Sequence, residues 1–224
     1  MNITDYFNSF FFGLMPYVAL GVFIAGFIYR LCHRNPSVQA TSTQFLSNDC
    51  ALRLGSPLFH FAILGVLAGH IFGLLAPEPL YIWLISNETK RLLAIVMGSL
   101  TGLAALAGII LLCLRRFTNL RVRIDSRPAD YFIVILLLAQ IAIGLGGTYI
   151  TSQSPLSDYM ALDHWAQGLV IFEPDAWRWI AGASLVHKLH IIIGILILLI
   201  FPFTKLMHMV VAPVGYALEW RRRK

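Results

Sequence analysis

Five apolar runs of about twenty residues each constrain this chain more than any other feature of its sequence. They lie at about 7–29, 57–75, 92–114, 131–150 and 185–210. Each is long enough to cross about 30 Å of hydrocarbon as a helix that rises about 1.5 Å per residue. Backbone groups in lipid must bond within the chain, and the runs lack the alternating pattern of barrel strands, so each run is predicted to be helical.

Composition agrees with this interpretation. Of the 224 residues, 58% are apolar and 12% are charged, and the mean hydropathy is +0.74. A water-soluble globule of this length cannot bury so much apolar surface, so that class is excluded. We therefore predict an all-α integral membrane bundle of five transmembrane helices, with residues 1–224 forming a single domain.

The basic residues predict the orientation of the bundle. Of 17 Lys and Arg residues, 13 lie in the segments after the first, third and fifth runs, and four lie on the opposite side. Basic loops stay in the cytoplasm, so the N-terminus is predicted outside and the C-terminus inside. The net charge of +6 is explained by these loops rather than by a nucleic-acid partner. The polar loop 151–184 is then external, with an interfacial helix expected over 164–172.

The three cysteines limit the cofactors that the chain can hold. Cys32, Cys50 and Cys113 form no CxxC pair and no set of four. Iron–sulfur clusters and structural zinc are therefore not expected here. All three lie near the predicted cytoplasmic face, a reducing environment in which disulfides are not expected either.

Histidines within the apolar runs are the strongest indication of chemistry. His60 and His70 lie on the second run, and His190 and His208 lie on the fifth. These two helices run antiparallel, so His60 can meet only His208, and His70 only His190. A haem in a helical bundle needs an imidazole on each side of its plane, so two helices with two histidines each can hold two haems. An interhelical hydrogen bond or a proton relay is the alternative use of these side chains.

The spacing of the histidines tests this pairing. His190 and His208 are separated by about 27 Å along a straight helix, whereas His60 and His70 are separated by about 15 Å. Helix tilt, haem tilt or a kink at Pro202 must absorb the difference of about 12 Å. Small residues on the same helices, Gly65, Gly69 and Gly194, leave notches for a macrocycle or serve ordinary helix packing.

These motifs resemble one known family. The runs Leu58-Phe59-His60 to Gly69-His70 and Leu189-His190 to Phe201-Pro202-Phe203 to His208 are similar to the gamma subunit of respiratory nitrate reductase, a di-haem cytochrome b membrane anchor. The resemblance covers almost the whole chain and includes Trp165-Ala166-Gln167 in the outer loop. It implies two b-type haems, the inner one held by His60 and His208 and the outer one by His70 and His190.

The resemblance also implies a substrate and partners. Quinol, either menaquinol or ubiquinol, is expected near the outer haem, where Glu88-Thr89-Lys90 matches the family's Glu-x-Lys and places Lys90 at the quinol. Gly69 and Gly73 beside His70 leave room for the quinone ring. Electrons would pass to an iron–sulfur beta subunit and a molybdenum alpha subunit on the cytoplasmic face of a prokaryotic inner membrane, and the protons would be released outside.

Other interpretations remain open at this point. One keeps the haems but changes the acceptor, as in the cytochrome b subunit of a heterodisulfide-reductase-like or sulfite-reduction complex. Another is a haem-free proton channel or transporter. Lys90 is alternatively an interfacial lysine that reaches to lipid headgroups. His33, His164 and His187 are expected to be surface or supporting residues, although His187 is placed to accept a quinol proton.

Overall fold

The computed structural model describes residues 2–33 and 49–209, all of whose regular structure is helical. The basic segment 220–224 and the last residue of the predicted fifth run lie outside these ranges. Five helices are long and apolar enough to cross a membrane, which confirms the predicted fold class. The first span combines α1 (Ile3–Asn8), a π-helical segment (Ser9–Leu14) and α2 (Met15–His33). The other four are α3 (Cys50–Leu75), α5 (Asn87–Thr118), α7 (Pro128–Gln153) and α10 (Leu185–Ile200).

Short helices connect these spans. They are α4 (Glu78–Tyr81), α6 (Leu120–Asp125), α8 (Leu156–Val170) and α9 (Trp177–Ile180). The predicted interfacial helix over 164–172 was wrong in its limits, because α8 begins eight residues earlier and ends at Val170. We call the end of the bundle that carries α8 the outer end, and the end where α3 begins the inner end.

The helices begin where side chains can satisfy their free N–H groups. Asp49, Ser86 and Ser184 precede α3, α5 and α10, and each side chain accepts a hydrogen bond from a backbone N–H in the first turn. Arg115 and Arg116 lie in the last turn of α5, where positive charge stabilises the helix dipole. These polar residues also mark the ends of the apolar stretch.

The spans pack in the order α3, α5, α7, α10, α2, each against the next. Gly108 of α5 lies so close to α3 that an added Cβ would be 2.6 Å from the backbone nitrogen of Phe59. Among the described residues, α3 and α10 lack extensive packing against each other. The two histidine-bearing helices are therefore separated by a gap that their side chains face.

Helix α8 closes the outer end. The Trp165 indole donates a 2.9 Å hydrogen bond to the Phe12 carbonyl, and the Tyr17 hydroxyl donates one of 2.9 Å to the Leu169 carbonyl. The Gln167 amide donates to the carbonyls of Leu74 and Ala76, which lie where α3 ends. The start of the first span and loop 151–184 are thus on the same side, as five crossings require.

The fifth span does not continue as one helix to residue 210. Helix α10 ends at Ile200, and two 3-10 turns, Phe201–Phe203 and Lys205–Met207, carry the chain to His208. Pro202 lacks an N–H to continue the helix, and the Arg30 guanidinium donates a 2.7 Å hydrogen bond to its carbonyl. The straight-helix separation of about 27 Å therefore does not apply, since the chain leaves the helix axis before His208.

Candidate functional site

Two pairs of imidazole rings face each other across the gap between α3 and the fifth span. The ring centroids of His60 and His208 are 5.9 Å apart, with 69° between their planes. The centroids of His70 and His190 are 6.0 Å apart, with 28° between their planes. The structure thus brings together the same partners that antiparallel topology predicts, one pair toward each end of the bundle.

Backbone carbonyls orient all four rings. Nδ1 of His60 donates to the Ser56 carbonyl at 2.7 Å, and Nδ1 of His70 donates to the Val66 carbonyl at 2.8 Å. Nδ1 of His208 donates to the Lys205 carbonyl at 2.5 Å. Because a carbonyl can only accept, each Nδ1 carries the proton and each Nε2 presents a lone pair. The fourth ring, His190, has its Nδ1 3.2 Å from the Gln140 carbonyl.

Each facing pair could hold a metal ion between its two rings. An imidazole nitrogen bonds a metal ion at about 2.0 Å and lies roughly 1.1 Å from its ring centroid, so two rings that share one ion would have centroids about 6 Å apart. Both observed separations agree with that distance. Within residues 2–33 and 49–209 no group of three or more His, Cys, Asp and Glu side chains converges. A haem iron needs only two protein ligands, whereas structural zinc needs four.

The glycines near the outer pair have different surroundings. A Cβ built on Gly69 or Gly73 would meet nothing within 4 Å, so open space lies beside the His70 helix. On Gly65 it would lie 3.0 Å from the Thr101 side chain, which shows that Gly65 serves packing between α3 and α5. Gly69 and Gly73 therefore border open space, and Gly65 does not.

Lys90 lies at the outer end in a buried ion pair. Its ammonium is 2.6 Å from Oδ2 of Asp163 on α8, and the two side chains are 8% and 1% exposed. The Tyr81 ring centroid is 4.3 Å from the same ammonium. Lys90 is therefore held inside the protein rather than extended to lipid headgroups.

Buried polar groups surround that pair. Burial raises the pKa of Asp163 to about 6, although the Lys90 hydrogen bond opposes this shift. Burial also raises the pKa of the Tyr159 hydroxyl. Among the described residues, neither the Tyr159 hydroxyl nor Oδ1 of Asp163 has a hydrogen-bond partner. The sequence shows no motif around Asp163, which lies one residue before the predicted interfacial helix 164–172.

The other histidines have local roles. Both ring nitrogens of His187 lie near hydroxyls, Nδ1 2.8 Å from Ser184 Oγ and Nε2 3.1 Å from Thr151 Oγ1. The His164 ring packs against the Trp179 ring. His33 is exposed and its Nδ1 donates to the Tyr29 carbonyl at 3.1 Å. Neither His33 nor His164 is brought to a histidine pair, whereas His187 lies one helical turn before His190 on α10.

Ion pairs tie the basic loops to the inner end. The Arg115 side chain lies 2.6 Å from an Asp49 carboxylate oxygen, and this hydrogen bond lowers the pKa of Asp49. Lys205 and Arg116 both approach Asp130, at 2.6 Å and 3.9 Å. Residues expected mainly to set orientation therefore also stabilise the tertiary structure beside His208.

The fold and these sites define a multi-pass α-helical membrane protein with two facing histidine pairs, one toward each end. Comparison with known families gives a more specific result. The family model for the nitrate reductase gamma subunit matches residues 8–223, so the chain belongs to that family. This confirms the resemblance inferred from the histidine motifs.

Individual relatives agree with the family. The chain is 37% identical to the respiratory nitrate reductase 2 gamma chain of Escherichia coli (strain K12), over 96% of its own length and 95% of the relative's. It is 36% identical to the nitrate reductase gamma chain of Bacillus subtilis (strain 168), over 91% and 92%. It is also 32% identical to an Hdr-like menaquinol oxidoreductase cytochrome b-like subunit of Archaeoglobus fulgidus, over 67% of this chain and 45% of that one.

Family membership establishes the general setting of the chain. It is a membrane subunit of the respiratory nitrate reductase type, within an oxidoreductase complex that includes catalytic partner subunits. With five candidate spans, it is a multi-pass protein of the prokaryotic inner membrane.

Proposed function

We propose that this chain is the quinol-oxidising, di-haem cytochrome b subunit of its nitrate reductase. His60 and His208 would hold the inner haem, and His70 and His190 the outer haem. The observation that carries the proposal is the pair of facing imidazole sites between α3 and the fifth span, with ring centroids 5.9 and 6.0 Å apart. When bound, the haems would supply one-electron chemistry and a conducting route across the membrane.

The protein's own part is to present four imidazoles in one tautomer. A proton on each Nδ1, held by a backbone carbonyl, keeps Nε2 free to bind iron and fixes the ring plane. The chain therefore needs no charged side chain at the centre of the membrane to hold its cofactors.

Quinol is proposed to bind at the outer end, beside the open face at Gly69 and Gly73. Lys90 would donate a hydrogen bond to a quinol oxygen, since its ammonium has three N–H groups and Asp163 accepts only one of them. Asp163 would hold that ammonium in place and balance its charge. Oxidation at this end would release the two protons of quinol to the outside while its two electrons pass to the inner end. This separation of charge would build membrane potential without a proton pump.

The acceptors are proposed to lie at the inner end. The gamma chain would deliver electrons to an iron–sulfur beta subunit, and through it to a molybdenum alpha subunit that reduces nitrate. The relative from Archaeoglobus fulgidus, which is named as a menaquinol oxidoreductase subunit, favours menaquinol as one substrate to test. It also keeps a heterodisulfide-reductase-like acceptor as the second candidate, but the match to gamma chains over nearly the full length favours nitrate reductase.

The proposal is tested by haem content and by a reduced-minus-oxidised spectrum of the purified complex. Wild type is expected to hold two b haems per chain. His70→Ala and His208→Ala are each expected to lose one haem, and a different one, because they remove ligands from different pairs. His33→Ala is the matched control: its Nδ1 has a similar carbonyl partner, and both haems should remain. One haem or none in wild type would refute the proposal.

A further inference from the structure

His190 is held in a different way from the other three paired histidines. His60, His70 and His208 each donate to a carbonyl three or four residues earlier in their own segment. His190 instead has its Nδ1 3.2 Å from the carbonyl of Gln140, which lies on α7, a different span. The orientation of this ring therefore depends on how closely α7 approaches α10.

Gly144 makes that approach possible. It lies one turn after Gln140, and a Cβ built on it would be 2.8 Å from Cε1 and 3.2 Å from Nδ1 of His190. Real Cβ atoms do not come this close to ring atoms, so any other residue at 144 would push the imidazole away from the Gln140 carbonyl. Gly146, two residues later, differs: its Cβ would make an ordinary 3.6 Å contact with Val186.

The position of the Gln140 side chain is consistent with the His190 tautomer that carries its proton on Nδ1. Its amide nitrogen is 3.3 Å from Nε2 of His190, so the amide donates and Nε2 accepts, a contact that iron would replace at this nitrogen. Nδ1 must then carry the proton, as donation to the Gln140 carbonyl also requires. The amide oxygen is buried and has no hydrogen-bond partner among the described residues.

We propose that Gly144 and the main-chain carbonyl of Gln140 are positioning residues for the outer haem, acting through His190. The inference rests on the haem ligation proposed above. Helix α7 would set the ring plane and tautomer of one ligand of the outer haem at Gln140 and Gly144. It approaches the inner pair at a different place, through the ion pair of Asp130 with Lys205, whose carbonyl accepts from His208. The two haems of one chain would then respond separately to a change at position 144.

The test compares Gly144→Ala with Gly146→Ala in the purified complex. Outer partners of metal ligands typically change metal affinity by about 10–100-fold, so Gly144→Ala is expected to lose the outer haem or shift its electron paramagnetic resonance signal and midpoint potential. The inner haem of the same chain should keep its signal and serve as the internal reference. Gly146→Ala should leave both haems unchanged.

A second variant distinguishes the role of the Gln140 main-chain carbonyl from that of the Gln140 side chain. It also provides a test if Gly144→Ala does not fold. Gln140→Leu removes the amide but keeps the main-chain carbonyl, so both haems should remain with the outer signal in place. Loss of the outer haem in Gln140→Leu, or an unchanged outer haem in Gly144→Ala, would overturn the inference. Wild type without two haems would refute the proposed function instead, so the two failures are distinguishable.

Discussion

Breaking the buried ion pair of Lys90 and Asp163, which joins α5 to α8, is expected to lower the stability of the bundle. Its side chains are 8% and 1% exposed, so a charge that loses its partner here does not regain water. Removing one partner of such a pair typically costs about 3–5 kcal/mol. Replacing both partners by apolar residues of similar volume is often neutral or stabilising.

The pKa of Asp163 places the cost at the lower end of that range. Because burial raises this pKa to about 6, neutralising the carboxyl at pH 7 takes only on the order of 1 kcal/mol even with Lys90 present. In Lys90→Met the carboxyl can therefore take up a proton rather than remain as an unpaired charge. We expect Lys90→Met and Asp163→Leu each to lose about 3 kcal/mol, and the double variant to lie within about 1 kcal/mol of wild type.

The assay is unfolding of the detergent-solubilised chain by a denaturing detergent at pH 7, followed by tryptophan fluorescence. Asp175→Asn is the control, since it breaks an ion pair with Arg178 whose side chains are 68% and 57% exposed. Exposed pairs of this kind contribute about 0–1 kcal/mol, so the control should unfold almost as wild type does. The reasoning fails if Lys90→Met costs no more than Asp175→Asn, or if the double variant loses the sum of the two single losses.

Two further predictions concern stability. Gly108→Ala places a Cβ 2.6 Å from the Phe59 backbone and should lower the free energy of unfolding by about 1–3 kcal/mol. Gly98→Ala, whose Cβ would lie 3.8 Å from Thr148, should not destabilise the protein. Equal stability of the two variants in the same unfolding assay would contradict the close approach of α3 and α5. Since the pKa of Asp163 is raised to about 6, the folded chain keeps this proton over a range in which the unfolded chain, with a pKa of about 3.9, releases it. Wild type should therefore lose stability relative to Asp163→Asn as pH rises from about 4 to about 6, and a difference independent of pH would show that burial does not raise this pKa.

The five membrane-spanning helices could be predicted from the sequence, because the requirements for crossing a membrane apply to each segment separately. An apolar run must be long enough to span the hydrocarbon, and its backbone groups must form hydrogen bonds within a helix. The partners His60 with His208 and His70 with His190 also followed from helix direction alone. Their separation along the helix axis did not, because a kink at Pro202 was only one of three ways to absorb the mismatch of about 12 Å. The structure shows that α10 ends at Ile200, before Pro202.

Only the tertiary structure shows which side chains and backbone groups of different helices come into contact. The burial of Lys90 against Asp163, 73 residues away, depends on where α8 docks, and no local pattern encodes that placement. The Gln140 carbonyl reaches His190 only because Gly144 lets two spans approach. The hydrophobicity of each segment and the direction of each helix follow from the order of residues in the sequence. Close contacts and ion pairs between helices depend on how segments distant in the sequence pack, so only the tertiary structure shows them.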